Sequence, residues 1–284
     1  MIPVVLERCP GVAAFERTAA AFLVAREAEH NLPLGILDTL RTAPASFDGP
    51  PYLAVVRRGS EIVAAVVRTP PFHLVMSEVD DDAAIAPLVE AALASDAPGL
   101  LGPVEAAAAV AAGWSARTGG RQRVLITERT FRLTRVNPPS SVSGRLRVAG
   151  PSDRPPLVDW ARAFTLEALP DDDVARVEAT VDRWLAGEHR APYLWDDGEP
   201  VSLCVAGSRT PNGVRIGPVY TPPSHRGRGY ASACVAGVSQ AQLDAGRSFC
   251  FLVTDLANPT SNRIYRAIGY EPIRDVLSIR LDPA

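Results

Sequence analysis

Two short patterns in this 284-residue chain combine residue types that could do chemistry. The first is Arg226-Gly227-Arg228-Gly229-Tyr230-Ala231. It follows the apolar run Val214–Tyr220 and a Pro222-Pro223 break, and leads into a run of small residues beginning Ala231-Ser232-Ala233. A strand that ends in a glycine turn and opens a helix presents several free backbone N–H groups at the positive end of the helix dipole. That arrangement binds a phosphate or diphosphate. The second pattern is Asn258, Ser261 and Tyr265, closed by Gly269-Tyr270. Asn258 before Pro259 reads as a helix N-cap, and Tyr265, on one apolar stripe with Ile264 and Ile268, taken alone reads as a core aromatic.

The elements that must position these residues follow from periodicity and turn chemistry. In the second half the pattern predicts a strand at Leu146–Val148 and a helix starting at Pro151-Ser-Asp-Arg. A second helix is expected around Val174–Ala186, and a hairpin of Pro192–Asp196 with Pro200–Ala206 across Asp197-Gly198. Val214–Tyr220 follows as a strand, then a helix from Tyr230 to Ala245 ended by Gly246. A strand at Ser248–Thr254, a helix from Pro259 closed at Gly269, and a strand at Val276–Leu281 complete the half.

The first half predicts a helix over Val12–Glu29, a hairpin of Tyr52–Arg57 with Glu61–Arg68, and a strand at Phe72–Val75. Ala-rich helices at Asp82–Ala94 and Val104–Ala112 and a strand at Thr130–Thr134 come next. Residues 137–144, rich in Pro, Ser and Gly, read as a linker between a domain at 1–136 and one at 145–284. The halves share an element order and a Thr-Pro-Pro (69–71 and 221–223), which suggests a duplication. Where the second copy carries its glycine turn, the first has Phe72 and His73, so the phosphate site is expected to be lost there.

Composition narrows the function. The net charge is -3, which argues against nonspecific nucleic-acid binding. The chain contains no lysine, so Schiff-base chemistry on a lysine and a P-loop lysine are excluded. Cys9, Cys204, Cys234 and Cys250 have no metal-ligand spacing, and the four histidines are scattered, so no metal site is expected. Cys204 and Cys250 read as small buried hydrophobes. Asp80-Asp-Asp82 and Asp171-Asp-Asp173 read as helix starts complementing the dipole rather than as metal clusters. Trp160, Phe164, Trp184 and Trp195 read as core. No apolar run reaches the roughly 20 residues of a membrane span, and no signal-peptide pattern opens the chain, so a cytoplasmic protein that avoids the membrane is expected.

Over about residues 145–284 these motifs resemble the GNAT family of N-acetyltransferases. Arg226-Gly-Arg-Gly229-Tyr-Ala231 fits that family's phosphate turn, and Asn258, Ser261, Tyr265 and Gly269-Tyr270 fit its second motif. The resemblance implies an α/β (α+β) protein of two tandem GNAT-like domains, the first degenerate. Each would be a mixed, mostly antiparallel sheet flanked by helices. It implies acetyl-CoA as co-substrate, with the diphosphate held by backbone N–H groups of Arg226, Gly227, Arg228, Gly229, Tyr230 and Ala231 and by a thin first helical turn at Ala231 and Ser232. The pantetheine arm would pair with Val219, Tyr220 and Thr221, and an N–H near Val219 would polarise the thioester. Asn258 would bond the pantetheine or nearby backbone. Tyr265 would protonate the leaving thiolate, and Glu199, with the more remote Glu167, is the candidate general base. The acceptor would be an amine, on a small molecule or a protein. The competing functions are an acyl-CoA-binding regulatory or sensor module with little catalysis, and a nucleotide-phosphate binder.

Overall fold

The computed structural model describes residues 2–168 and 174–284; the Asp171–Asp173 run lies outside them. In chain order the strands and helices of the first half are β1 (Val4–Arg8), α1 (Val12–Ala25), α2 (Asn31–Thr42), β2 (Tyr52–Arg58), β3 (Glu61–Arg68), β4 (Leu74–Met76), α3 (Ile85–Ser95), β5 (Gly99–Pro103), α4 (Val104–Thr118) and β6 (Arg121–Leu133). The second half comprises β7 (Arg145–Val148), α5 (Arg154–Ala168), α6 (Val177–Leu185), β8 (Arg190–Asp196), β9 (Pro200–Arg209), β10 (Gly213–Tyr220), α7 (Tyr230–Asp244), β11 (Phe249–Asp255), α8 (Pro259–Ile268) and β12 (Glu271–Asp282).

The chain forms two compact units that interleave in sequence. One takes Met1–Thr130, Val253–Asn258 and Pro272–Ala284; the other takes Phe131–Leu252 and Pro259–Glu271. The consecutive division at 137–144 differs from these contacts at residues 131–136, 253–258 and 272–284. Most of β12 belongs with the first unit, where Val276–Arg280 pairs antiparallel with Gly99–Pro103 of β5. Its Leu277, Ile279 and Leu281 fill the same core as Leu74, Leu100 and Trp114. Removing that apolar strand from water is the driving force for the arrangement.

Each unit repeats one plan. In the first, the strand order is β1-β2-β3-β4-β5-β12, with β4 and β5 parallel. In the second, β7 to β11 follow in the same sequence, with β10 and β11 parallel. Helices cover both faces, which explains why the strands read as continuous apolar runs and not as alternating ones. Along β2, Ala54 and Val56 enter a core with α3 and α4, while Leu53 and Val55 enter one with α1 and α2. Along β9, Cys204 and Ala206 face α7 and α8, while Leu203 and Val205 face α5 and α6. Period-two alternation thus feeds two cores per unit. Trp184 is buried in the α5–α6 core, and the four cysteines are free and buried, Cys204 and Cys250 as their apolar settings predict.

The Thr-Pro-Pro echo does not align the two copies. Thr69-Pro70-Pro71 follows β3, whereas Thr221-Pro222-Pro223 follows β10, the counterpart of β4. The turn that corresponds to Arg226–Ala231 is the one after β4, and it is acidic. Asp81 caps the start of the next helix by accepting from Ala83 N, and it pairs with Arg58. Asp80 pairs with Arg26, and Glu78 lies 2.9 Å from Arg274. Carboxylates occupy the helix start that glycines leave open in the second unit, so an anion is repelled there.

His30 is fully buried in the first unit. Its Nδ1 lies 2.9 Å from Leu23 O, and its Nε2 accepts from Glu78 N at 3.0 Å, which sets the neutral Nδ1–H tautomer. Burial, and secondarily Arg26, lowers its pKa against the opposing pull of the Leu23 carbonyl, Glu29 and Asp80. A depressed basic group binds fewer protons folded than unfolded, so its contribution to stability is complete above pH about 6.5 and is lost as pH falls below it. The melting temperature is expected to drop between pH 7.5 and 5.5, and the drop should be shallower in His30→Gln. An equal slope in both proteins would contradict this.

Candidate functional site

The second unit places the chemistry-bearing motifs around the end of β10. Parallel pairing with β11 runs from Gly213↔Phe249 to Arg215↔Phe251, and among the described residues it goes no further. On its other side β10 stays paired with β9 as far as Tyr220↔Leu203, across a bulge between Ile216 and Val219. A bulge re-aims the residues beyond it. Val214, Ile216 and Val219 consequently all face the α7–α8 core, while Tyr220 turns to the α5 side and hydrogen-bonds Glu167. The separating strands leave backbone groups of Ile216–Tyr220 without a β11 partner beside them.

Beyond Tyr220 the chain makes a single helical turn at Pro223–His225 and then enters the glycine turn. Gly227 has φ +78° and Gly229 φ +85°, conformations that side-chain-bearing residues adopt only with strain. Gly229 is the N-cap of α7, and no side chain caps that helix. The residues Arg226 to Gly229 are exposed, and Ala231 and Ser232 are half-buried, so the first turn is open and thin. Tyr230 differs from its neighbours. Its side chain points inward and donates to Asp197 Oδ2 at 2.6 Å, leaving only its backbone toward the turn. Asp197 also accepts from Ser143 Oγ at 2.8 Å, and these two hydrogen bonds hold its carboxyl below the usual range. The β8–β9 turn thereby clamps both the start of α7 and the end of the 137–144 segment.

Tyr265 lies in α8, 9 % exposed, with its ring 6.3 Å from Phe131 and 6.0 Å from Tyr270. Burial pushes its phenol up strongly and the nearby Cys204 adds to the shift, while a hydrogen bond with Ser261 opposes it. Cys204 is the β9 residue opposite Val219. Tyr265, Cys204 and Val219 thus share one apolar core between the sheet and α7–α8. Asn258 is exposed immediately ahead of Pro259.

Glu199 lies at the surface of the second unit. It stands in the β8–β9 turn with its side chain 72 % exposed, and its Oε1 is 4.0 Å from His225 Nε2. Five residues separate it from Cys204, about 16 Å of extended strand at some 3.3 Å per residue. A polar hairpin turn carried no signal in the sequence of how far along β9 the reacting region would fall. Glu167, at the end of α5, is closer to the strand, bonded to both Tyr220 and Arg226. Among the described residues no group of His, Cys, Asp and Glu is arranged to hold a metal ion, and no helix is long and apolar enough to cross a membrane.

A sequence model of the FR47-like protein family matches residues 197–278, which span the β8–β9 turn, the glycine turn and α8. No curated protein sequence matches the chain. Solved structures match over its whole length at low identity. A GCN5-related N-acetyltransferase from Sphaerobacter thermophilus is 19% identical with TM-score 0.62, covering 100% of this chain and 98% of that one. A Drosophila protein is 14% identical with TM-score 0.70, over 98% and 99% of the two chains. A tandem GNAT protein from the clavulanic acid biosynthesis pathway is 15% identical with TM-score 0.56, over 98% of each chain. The chain thus has the tandem GCN5-related N-acetyltransferase fold, with the FR47-like segment and the open phosphate-type turn in its C-terminal half.

Proposed function

We propose that the second unit is an acetyltransferase, moving an acetyl group from acetyl-CoA to an amine. The single observation that carries this reading is the conjunction around β10: an uncapped helix start behind two left-handed glycines, a strand end parting from its parallel neighbour, and a tyrosine buried in the same core as that strand. In this reading the N–H groups of residues 227–232 hold the diphosphate. The parted edge of β10 pairs with the pantetheine amides as an added strand would. A backbone N–H near Val219 polarises the thioester carbonyl.

The neutral amine then attacks that carbonyl carbon, the new C–N bond forms as the C–S bond breaks, and the attacking nitrogen releases a proton to solvent. The departing sulfur takes a proton from the Tyr265 hydroxyl, and the phenolate recovers one from solvent before the next turnover. Glu199, exposed in the β8–β9 turn, is given no step in this sequence. The acidic turn of the first unit leaves that unit without a matching site, and one acetyl-CoA is expected per chain.

Thiol release from acetyl-CoA, followed across a panel of small amines and lysine-containing peptides, tests the reading. Amine-dependent release with a matching acetylated product supports it. Tight CoA binding with no release in any amine would show an acyl-CoA-binding module instead, and stabilisation by ATP with none by CoA would show a nucleotide site.

A further inference from the structure

The two arginines of the glycine turn are held differently. Arg226 Nε donates to Thr221 O at 2.9 Å, closing the turn onto its own first residue, and Arg226 Nη2 donates to Glu167 Oε2 at 2.7 Å. The other carboxylate oxygen of Glu167 accepts from Tyr220 Oη at 3.2 Å, and the guanidinium lies 5.6 Å from the Tyr220 ring centre. From the β9 side, the buried Ser202 hydroxyl reaches Thr221 Oγ1 at 2.9 Å and Tyr220 O at 3.3 Å. Three elements thus converge on Tyr220 and Thr221, the junction between the parted strand and the glycine turn. Glu167 ties α5 to both sides of it. Arg228, by contrast, is exposed and makes no hydrogen bond among the described residues, and its charge helps hold the Asp197 carboxyl down.

We propose that these arginines divide the work: Arg226 and Glu167 form a clasp that positions the turn, and Arg228 is the side chain that meets the ligand's phosphates. This rests on the reading of the turn as an acyl-CoA site. Glu167 is then a positioning residue, acting through Arg226 and Tyr220. Its carboxylate sits beside an anion site, where Coulomb repulsion alone would make it unfavourable to binding. The clasp reverses the sign, because a turn released from Thr221 and α5 must be ordered again when the ligand binds.

The test is CoA binding by titration calorimetry to the full chain and its variants. Glu167→Gln removes a negative charge yet is expected to weaken CoA binding about tenfold, with Tyr220→Phe intermediate. The exposed ion pair contributes little to global stability, so both variants should fold, and their melting curves check this. Arg226→Gln combined with Glu167→Gln should cost no more than either alone, the non-additivity of residues that act as a unit. Arg228→Gln should weaken CoA and flatten its salt dependence, whereas Glu167→Gln should not flatten it. Unchanged or tighter CoA binding in Glu167→Gln, or additive losses in the double variant, would overturn the clasp. If the wild-type chain fails to bind CoA, the acetyltransferase reading falls instead.

Discussion

Replacing Tyr265 by phenylalanine is expected to lower acetyl transfer about a hundredfold while leaving CoA affinity within about twofold. The substitution removes one oxygen and keeps the ring against Phe131 and Tyr270, so the packing that fixes α8 survives. What is lost is the proton delivered to the sulfur, and mutational removal of a positioned general acid costs on the order of 10²–10⁴ in rate. Burial raises the phenol's pKa, so Tyr265 stays protonated through the whole range in which the protein is handled. The sign for pH follows: this acid contributes no loss of activity on raising the pH from 7 to 9. Rising rates over that interval would reflect deprotonation of the amine acceptor alone. A Tyr265→Phe enzyme that keeps more than a third of the wild-type kcat would remove the phenol from the mechanism.

Ser232→Glu separates stability from binding by opposite signs. Position 232 is the third residue of α7, where a carboxylate complements the dipole and contributes roughly 0.3–1 kcal/mol to the helix. The residue is half-buried at the open turn, so the side chain has room. The variant should melt at or slightly above the wild-type temperature. The same carboxylate occupies the field that would hold the diphosphate, and like charges at about 4 Å repel by roughly 4 kcal/mol near a protein surface. CoA affinity is therefore expected to fall by at least fiftyfold, read by calorimetry at fixed ionic strength. A destabilised variant, or one that binds CoA normally, would show that the ligand is not held at the start of α7.

The second unit was more legible in sequence than the first, for identifiable reasons. Asp197-Gly198 marks the β8–β9 hairpin and Gly246 ends α7, because turns and helix ends demand residues that tolerate positive φ. The glycine turn and the Asn258–Tyr265 spacing were visible because they are local: strand, turn and helix follow one another directly. In the first half α2 was hidden, since Asn31-Leu-Pro-Leu-Gly carries two residues that ordinarily break helices. Pro33 is accommodated in the first turn, where its missing N–H has no intrahelical partner. The 13-residue β6 was read only at its end, because full burial begins only at Thr130 and the residues before it are exposed or half-buried. Placement of β12 beside β5 depends on pairing Val276–Arg280 with Gly99–Pro103, far apart in the chain, which no local pattern encodes. The same limit applied to the base. Glu199 and Glu167 are 32 residues apart in sequence, and only the packing of α5 against the end of β10 shows which of them approaches the strand.

A crystal structure of the chain with CoA tests the central claim most directly. The predicted result is one CoA per chain, its diphosphate on the backbone N–H groups of residues 227–232 and its pantetheine along Ile216–Tyr220, with the sulfur in hydrogen-bond reach of the Tyr265 hydroxyl. CoA bound at the acidic turn after β4, or bound at α7 with its sulfur directed away from Tyr265, would contradict it.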